Sequence, residues 1–241
     1  ATIFVTLLLL SGDIESNPGP LSGDHFLLGS INIRSIRLKA ALIHDIINDH
    51  NLDIIALQET WVTSNTPPAI KQDIAPPGFE VHHVIRPIVA GGPVRGGGLA
   101  LIYREDFKVR DVNLHFEPTT FEFQSLLITS TTPSILLVNI YQPHSPPTAA
   151  FFEELSTLLS NIAVESSASL LICGDLNCHG DDDRWVSGGL EDVLIGCDLQ
   201  QLVHEPTREA HLLDILATSD GELVRSVRVV DSAEVSDHRL I

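Results

Sequence analysis

The chain has 241 residues, 44% of them hydrophobic and 19% charged, which is ordinary globular composition and suits one large α/β domain. Its 14 Lys+Arg against 32 Asp+Glu give a net charge of −18, so the basic footprint of an autonomous tight nucleic-acid binder is missing. An acidic pocket that holds a cation still becomes attractive to phosphate, because the ion's own charge enters the sum. The cysteines, Cys173, Cys178 and Cys197, are odd in number and match no zinc spacing; they read as free thiols in a reducing compartment.

Residues 1–19 form a separate leader. Ile3 to Leu10 is apolar but too short to span a bilayer, which needs about 20 such residues. Gly12-Asp13-Ile14-Glu15-Ser16-Asn17-Pro18-Gly19-Pro20 then resembles the 2A-type ribosome-skipping pattern, Asp-x-Glu-x-Asn-Pro-Gly-Pro. That resemblance implies that Asn17, Pro18, Gly19 and Pro20 are where translation fails to join Gly19 to Pro20. The plainer reading is a Pro/Gly turn after an apolar segment. The domain proper is expected over residues 20–241. A sequence without Met that stops at Ile241, where a strand begins, reads as a piece of a longer polyprotein.

Short apolar runs then alternate with helical patterns. Strands are expected at His25–Ile33, Asp53–Leu57, Phe79–Ile85, Gly98–Tyr103, Phe107–Asn113, Phe121–Thr129, Ser134–Tyr141, Ser169–Cys173, Leu212–Thr218 and Val224–Val230. Helices are expected at Leu38–His50, Thr148–Val164 and Glu191–Leu199, and a Pro-rich loop at Asn65–Gly78. Many strands with few helices give a four-layer α/β-sandwich: two mixed β-sheets packed face to face and flanked by helices.

Several strands end in polar residues of one kind. Glu59 follows the run ending at Leu57, Asp175 the run ending at Cys173, Asp214 lies in Leu213-Asp214-Ile215, and Ser236-Asp237-His238 comes last. Carboxylates gathered on one rim repel each other unless a cation sits among them, and oxygen donors with a phosphate substrate favour Mg²⁺ (or Mn²⁺). Singly these residues are bland: Tyr141 would be a strand-end aromatic and His238 a surface histidine. His82, His83, His179 and His211 are read as surface histidines, Asp181-Asp182-Asp183 as a solvated loop, and Gly96-Gly97-Gly98 as a turn into a strand.

As an ordered set they resemble the endonuclease/exonuclease/phosphatase superfamily, of exonuclease III or apurinic-endonuclease type. The motifs are Ser30-Ile31-Asn32-Ile33-Arg34-Ser35, Leu57-Gln58-Glu59-Thr60-Trp61, Arg95-Gly96-Gly97-Gly98-Leu99-Ala100, Asn139-Ile140-Tyr141-Gln142-Pro143, Gly174-Asp175-Leu176-Asn177 and Ser236-Asp237-His238. His204-Glu205-Pro206-Thr207-Arg208 with Leu213-Asp214-Ile215-Leu216 is similar to the branch carried by non-LTR retrotransposons.

The resemblance implies Glu59 as main metal ligand with Asn32 beside it, and Asp237 as an outer or second-metal ligand. It implies that Asp175 activates water, that Asn177 and Tyr141 contact the phosphate, and that His238, oriented by Asp214, stabilises charge at phosphorus. Where DNA-repair relatives often carry an acid two positions after the first Asn, this chain has Arg34, which is expected to face phosphate. The implied activity is nicking of double-stranded DNA to leave a 3′-hydroxyl that primes reverse transcription. Partners would be element RNA and a reverse-transcriptase domain of the same polyprotein, acting in the nucleus after synthesis in the cytoplasm, with no membrane. The alternatives are another phosphodiesterase or phosphatase of the same fold, of inositol-phosphate or sphingomyelin type, and an inactive retroelement remnant.

Overall fold

The structure is a computed structural model and describes residues 25–86, 96–143, 147–178 and 187–241. The leader with Asn17, Pro18, Gly19 and Pro20, and also Arg95, His179 and Asp181 to Asp183, lie outside those residues.

The described residues form, in order, β1 (Leu28–Asn32), α1 (Ala40–Asp49), β2 (Ile54–Gln58), α2 (Pro68–Asp73), β3 (Phe79–Val84), β4 (Leu99–Arg104), β5 (Val109–Asp111), β6 (Glu122–Ile128), β7 (Ile135–Tyr141), α3 (Ala149–Glu165), β8 (Ser169–Asp175), α4 (Ser187–Gly196), β9 (Gln200–Gln201) and β10 (Asp214–Thr218). They make one sheet in the order β1-β2-β4-β3 and another in the order β5-β6-β7-β8-β10-β9. Each sheet holds one parallel pair, β1 with β2 and β7 with β8; the other pairings are antiparallel. A parallel pair needs a long crossover, and α1 and α3 supply it. The helix α3 is capped where Thr148 Oγ1 accepts from Phe151 N at 3.4 Å.

Alternation along the strands builds the layers. In β2, Ile54 and Ala56 face the second sheet, where they meet Leu126, Leu137, Leu171 and Cys173. Ile55 and Leu57 face the other way and pack on Ile43 and Ile47 of α1. The outer face of the second sheet, Leu136, Val138, Leu170 and Ile172, is covered by Phe151, Leu155, Leu158 and Leu159 of α3 and by Leu190 and Leu194 of α4. The result is helix, sheet, sheet, helix, as expected. Among the described residues no helix is long and apolar enough to cross a membrane.

Two expectations fail. The segment read as a loop over 65–78 contains α2, because Pro68 sits at the first helical turn, where a missing N–H costs nothing and a fixed φ helps. The strand expected at Val224–Val230 is absent; only Val230 makes a bridge, to Leu240. The outer neighbour of β10 is instead the two-residue β9. Val224, Val227 and Val229 pack against the inter-sheet core as irregular chain, so they satisfy their apolarity without a ladder. At the edge of β1, Ile241 exchanges backbone hydrogen bonds with Ser30, at 2.9 and 3.1 Å.

Candidate active site

The parallel pairs of both sheets end on the same rim. β1 and β2 run out at Asn32 and Gln58, β7 and β8 at Tyr141 and Asp175, and β10 begins there with Asp214. Beneath the rim the sheets are locked by buried amides. Gln58 Nε2 donates to Asn139 Oδ1 at 2.7 Å and to Ser30 Oγ at 3.2 Å, and Asn139 Nδ2 donates to the Leu57 carbonyl at 3.2 Å. Such directional bonds fix one register between layers that apolar packing alone would let slide, while Gln58 Oε1 itself is buried without a partner.

The catalytic candidates meet across this lock. Asn32 Nδ2 donates to Glu59 Oε1 at 2.9 Å and to Asp175 Oδ2 at 2.8 Å, so one amide ties the first sheet's carboxylate to the second's. Trp61 Nε1 donates to Glu59 Oε2 at 2.9 Å, and the Tyr141 hydroxyl bonds the same carboxylate. His238 Nδ1 lies 2.9 Å from Asp214 Oδ2 and its Nε2 lies 3.8 Å from Asp175 Oδ2. Asn177 N donates to Asp175 Oδ1 at 2.9 Å, and Asn177 Nδ2 donates to the Gln142 carbonyl at 2.7 Å. His238 is 2% exposed, which excludes the surface histidine that it would be if read singly.

The backbone around this cluster is held in unusual conformations. Arg34 (φ 47°), Ser35 (φ 91°), Glu59 (φ 54°), Trp61 (φ 55°) and Asn177 (φ 49°) all adopt the left-handed region. Each such residue costs of order 1–3 kcal/mol and persists only where surroundings hold it, which is a habit of functional sites. Gly174, before Asp175, has φ 135°, and a Cβ there would collide with the Ile140 carbonyl. Only glycine lets β8 approach β7 closely enough to deliver Asp175.

Electrostatics follow from burial and crowding. Burial first, and then the Asp214 charge, push the Asp175 carboxyl up to about 7 against the pull of His238 and Asn32. Burial also opposes charge on Glu59, but hydrogen bonds from Asn32, Trp61 and Tyr141 and the Arg34 charge win, and its pKa falls. Burial disfavours the imidazolium of His238, yet Asp214, Asp175 and Asp237 together raise its pKa. Burial and the adjacent Glu59 charge push the Tyr141 hydroxyl up, so it stays a donor.

Asp237 points elsewhere. Its Oδ2 receives Arg34 Nη1 at 3.1 Å and Arg208 Nη2 at 2.7 Å. Among the described residues, the acidic, His and Cys side chains whose donor atoms all fall within 4.8 Å of one another are Asp175, Asp214 and His238. The residues fit a divalent cation: Asp175 and Asp214 offer hard carboxylate oxygens beside the His238 imidazole, Asp214 Oδ1 is buried with no partner, and a cation would relieve the crowding that raises the Asp175 pKa.

Some site residues carried no assigned role in the sequence reading. Trp61 braces Glu59. Arg86 Nε donates to Glu122, whose other oxygen accepts from Gly98 N at 2.7 Å, and the guanidinium lies 5.8 Å from the centre of the Tyr141 ring. A side chain at Gly97 would overlap both Arg86 and Glu122, which explains that glycine. Thr207 is fully buried, and its Oγ1 accepts from Leu213 N at 3.0 Å and Asp214 N at 3.1 Å. The segment Pro206-Thr207-Arg208 therefore fixes the backbone that presents Asp214.

Residues 29–238 match the Endonuclease/Exonuclease/phosphatase family. The chain belongs to that family. The name covers enzymes that cleave phosphate esters, which agrees with a rim of carboxylates, amides and one buried histidine. No curated protein matches the sequence. Among solved structures, the endonuclease domain of TRAS1, a telomere-specific non-LTR retrotransposon, superposes with TM-score 0.67 at 16% identity, covering 90% of this chain and 96% of that one. An AP endonuclease from Archaeoglobus fulgidus gives TM-score 0.61 at 16% identity over 90% and 97%. A mannosyl-6-phosphatase from Bacteroides thetaiotaomicron gives 0.62 at 15% identity over 90% and 97%. At such identities the likeness is one of fold, and it spans nucleases and phosphatases alike.

Proposed function

We propose that this family member is a divalent-metal-dependent DNA endonuclease of the non-LTR retrotransposon type, which nicks target DNA to leave a 3′-hydroxyl for reverse transcription. The observation that carries the reading is the single chain of contacts from Glu59 through Asn32 and Asp175 to His238 and Asp214, assembled from both sheets. Thr207 and Arg208, from the retrotransposon-like segment, are built into that chain's support. The fold shared with the TRAS1 endonuclease domain and the ribosome-skipping pattern of residues 12–20 favour the same kind of element.

The residues divide the chemistry among them. Glu59, with Asn32 beside it, would hold the cation next to the Asp175–Asp214 pair. Such a cation would supply Lewis-acid charge to the phosphate. Asp175, with proton affinity raised towards neutrality, takes a proton from the attacking water. His238, whose pKa is raised by Asp214 at Nδ1, donates from Nε2 to a non-bridging phosphate oxygen, where charge builds as water oxygen bonds to phosphorus. Tyr141 and Asn177 orient the phosphate. The P–O3′ bond breaks, the 3′-oxygen takes a proton from solvent water and leaves as a hydroxyl, Asp175 returns its proton to solvent, and the phosphate remains on the 5′ end.

A second reading, a phosphomonoesterase, is favoured by the net charge of −18, which repels polyanions. Incubating the protein with an internally labelled duplex and Mg²⁺ separates the two. Internal cuts whose 3′ ends a polymerase extends support the endonuclease. Intact duplex, together with phosphate release from sugar or inositol phosphates, supports the phosphatase.

A further inference from the structure

Next to His238 in sequence, the Asp237 carboxylate is shared by two guanidinium groups. Arg34 Nη1 at 3.1 Å and Arg208 Nη2 at 2.7 Å both reach the same atom, Oδ2. The three side chains come from three separate loops and face solvent, with exposures of 51% for Arg34, 36% for Arg208 and 35% for Asp237. The catalytic histidine is 2% exposed, so this triad lies on the rim above the buried cluster.

Two features make the triad a binding site for anions. Two guanidinium groups converging on one anionic oxygen is how arginines grip a phosphate oxygen. One carboxylate also neutralises only one of two positive charges, so the triad itself carries one net positive charge in a chain of net charge −18. The loops are tied to the chemistry as well. Arg34 N donates to Asn32 Oδ1 at 3.1 Å, and Arg239 N donates to the Thr207 carbonyl at 2.7 Å. Lys39 Nζ clamps the carbonyls of Ile33 and Val235, each at 2.6 Å, and so fixes the Arg34 loop against the Asp237 loop. The arginines therefore stand at a fixed offset from the catalytic residues.

We propose that Arg34 and Arg208 bind a second phosphodiester, one that neighbours the bond being cut, and that Asp237 is an internal stand-in for it, displaced when nucleic acid binds. The identity of the ligand as a polynucleotide rests on the endonuclease reading; the anion site itself does not. A substrate with a single phosphate leaves the triad closed, and a strand opens it. Exposed ion pairs are weak, so displacement is cheap. Asp237 then repels the strand and limits how tightly product is held.

The test is fluorescence anisotropy of a labelled duplex oligonucleotide with the full chain in EDTA, over a series of KCl concentrations. Arg34→Gln and Arg208→Gln are expected to weaken binding, each lowering the slope of log K against log salt by about one. Arg34→Lys and Arg208→Lys are expected to keep the slope. Asp237→Asn frees both arginines and is expected to tighten binding by about two- to fivefold, the range set by the strength of exposed pairs. Thermal unfolding of each variant confirms folding. If Asp237→Asn weakens binding as the glutamine variants do, the triad is only a brace and the proposal is overturned. Unchanged salt slopes in both glutamine variants overturn it too. A wild type that binds through the arginines yet never nicks DNA keeps the anion site and refutes the endonuclease. One that nicks while the arginine variants bind normally does the reverse.

Discussion

Asp175 and Asp214 are direct partners across the antiparallel β8–β10 ladder, and His238 lies against both carboxylates. Each carboxylate is 1% exposed. Like charges that close destabilise the folded chain unless a proton, an imidazolium or a cation lies between them.

The pH dependence of stability follows. The folded-state pKa of Asp175 is raised to about 7 from 3.8, so this group's contribution is fully present below the unfolded value and is lost as pH rises through about 7. His238 is also raised, from 6.5, so its contribution is likewise lost as pH rises through its folded value. Both act in one direction. In EDTA the melting temperature is expected to fall as pH rises from about 5 to 8.5, and Asp175→Asn is expected to flatten the part of that fall below about pH 7 while lowering activity at least about 10²-fold. About 1 kcal/mol moves a domain of this size by roughly 2–4 °C, which calorimetry resolves. A wild type as stable at pH 8.5 as at pH 6 in EDTA contradicts this.

Asp214→Asn replaces the acceptor that holds His238 Nδ1 and its charge. The imidazole then loses the charge that contributes most to raising its pKa, and an amide no longer fixes its tautomer. A fall in kcat of roughly 10²- to 10⁴-fold is expected, with KM changed much less. The pH–rate profile should also lose the limb that reports protonated His238.

Much of this site was legible because polarity interrupts apolarity. Asn32, Glu59, Tyr141, Asp175 and Asp214 each mark the end or start of a buried strand, and that pattern is local. What was not legible depends on packing between distant segments. Asn32 meets Asp175 across a separation of 143 residues, and nothing local in either motif records that one amide bridges the two carboxylates. The same holds for Trp61 on Glu59, for Arg86 with Glu122, and for the turn of Asp237 towards two arginines. The valine-rich stretch Val224–Val230 misled for the converse reason: its valines are partly buried against the core, but no strand edge awaited them.

Thr207 offers a test of support at a distance from the phosphate. Thr207→Val keeps the shape but leaves the N–H groups of Leu213 and Asp214 without their buried acceptor. A loss of about 2–4 kcal/mol in unfolding free energy is expected, with reduced kcat in the protein that still folds. Thr207→Ser should restore both. Urea unfolding curves with equal m-values would check it.

Gly174→Ala places a methyl group against the Ile140 carbonyl at a φ that side chains avoid. Destabilisation of about 3 kcal/mol or more is expected, because neither β7 nor β8 has room to shift between their buried neighbours. Urea denaturation measures it, and a loss under about 1 kcal/mol would show that the close approach is not rigid.

Nicking of supercoiled plasmid by the full chain in Mg²⁺, compared with EDTA, Asp175→Asn and His238→Ala, decides whether the buried cluster cuts DNA. Open circles are expected in Mg²⁺ alone, lost in EDTA and reduced at least about 10²-fold in both variants. Nicking that survives EDTA, or that persists at wild-type rate in either folded variant, would contradict this.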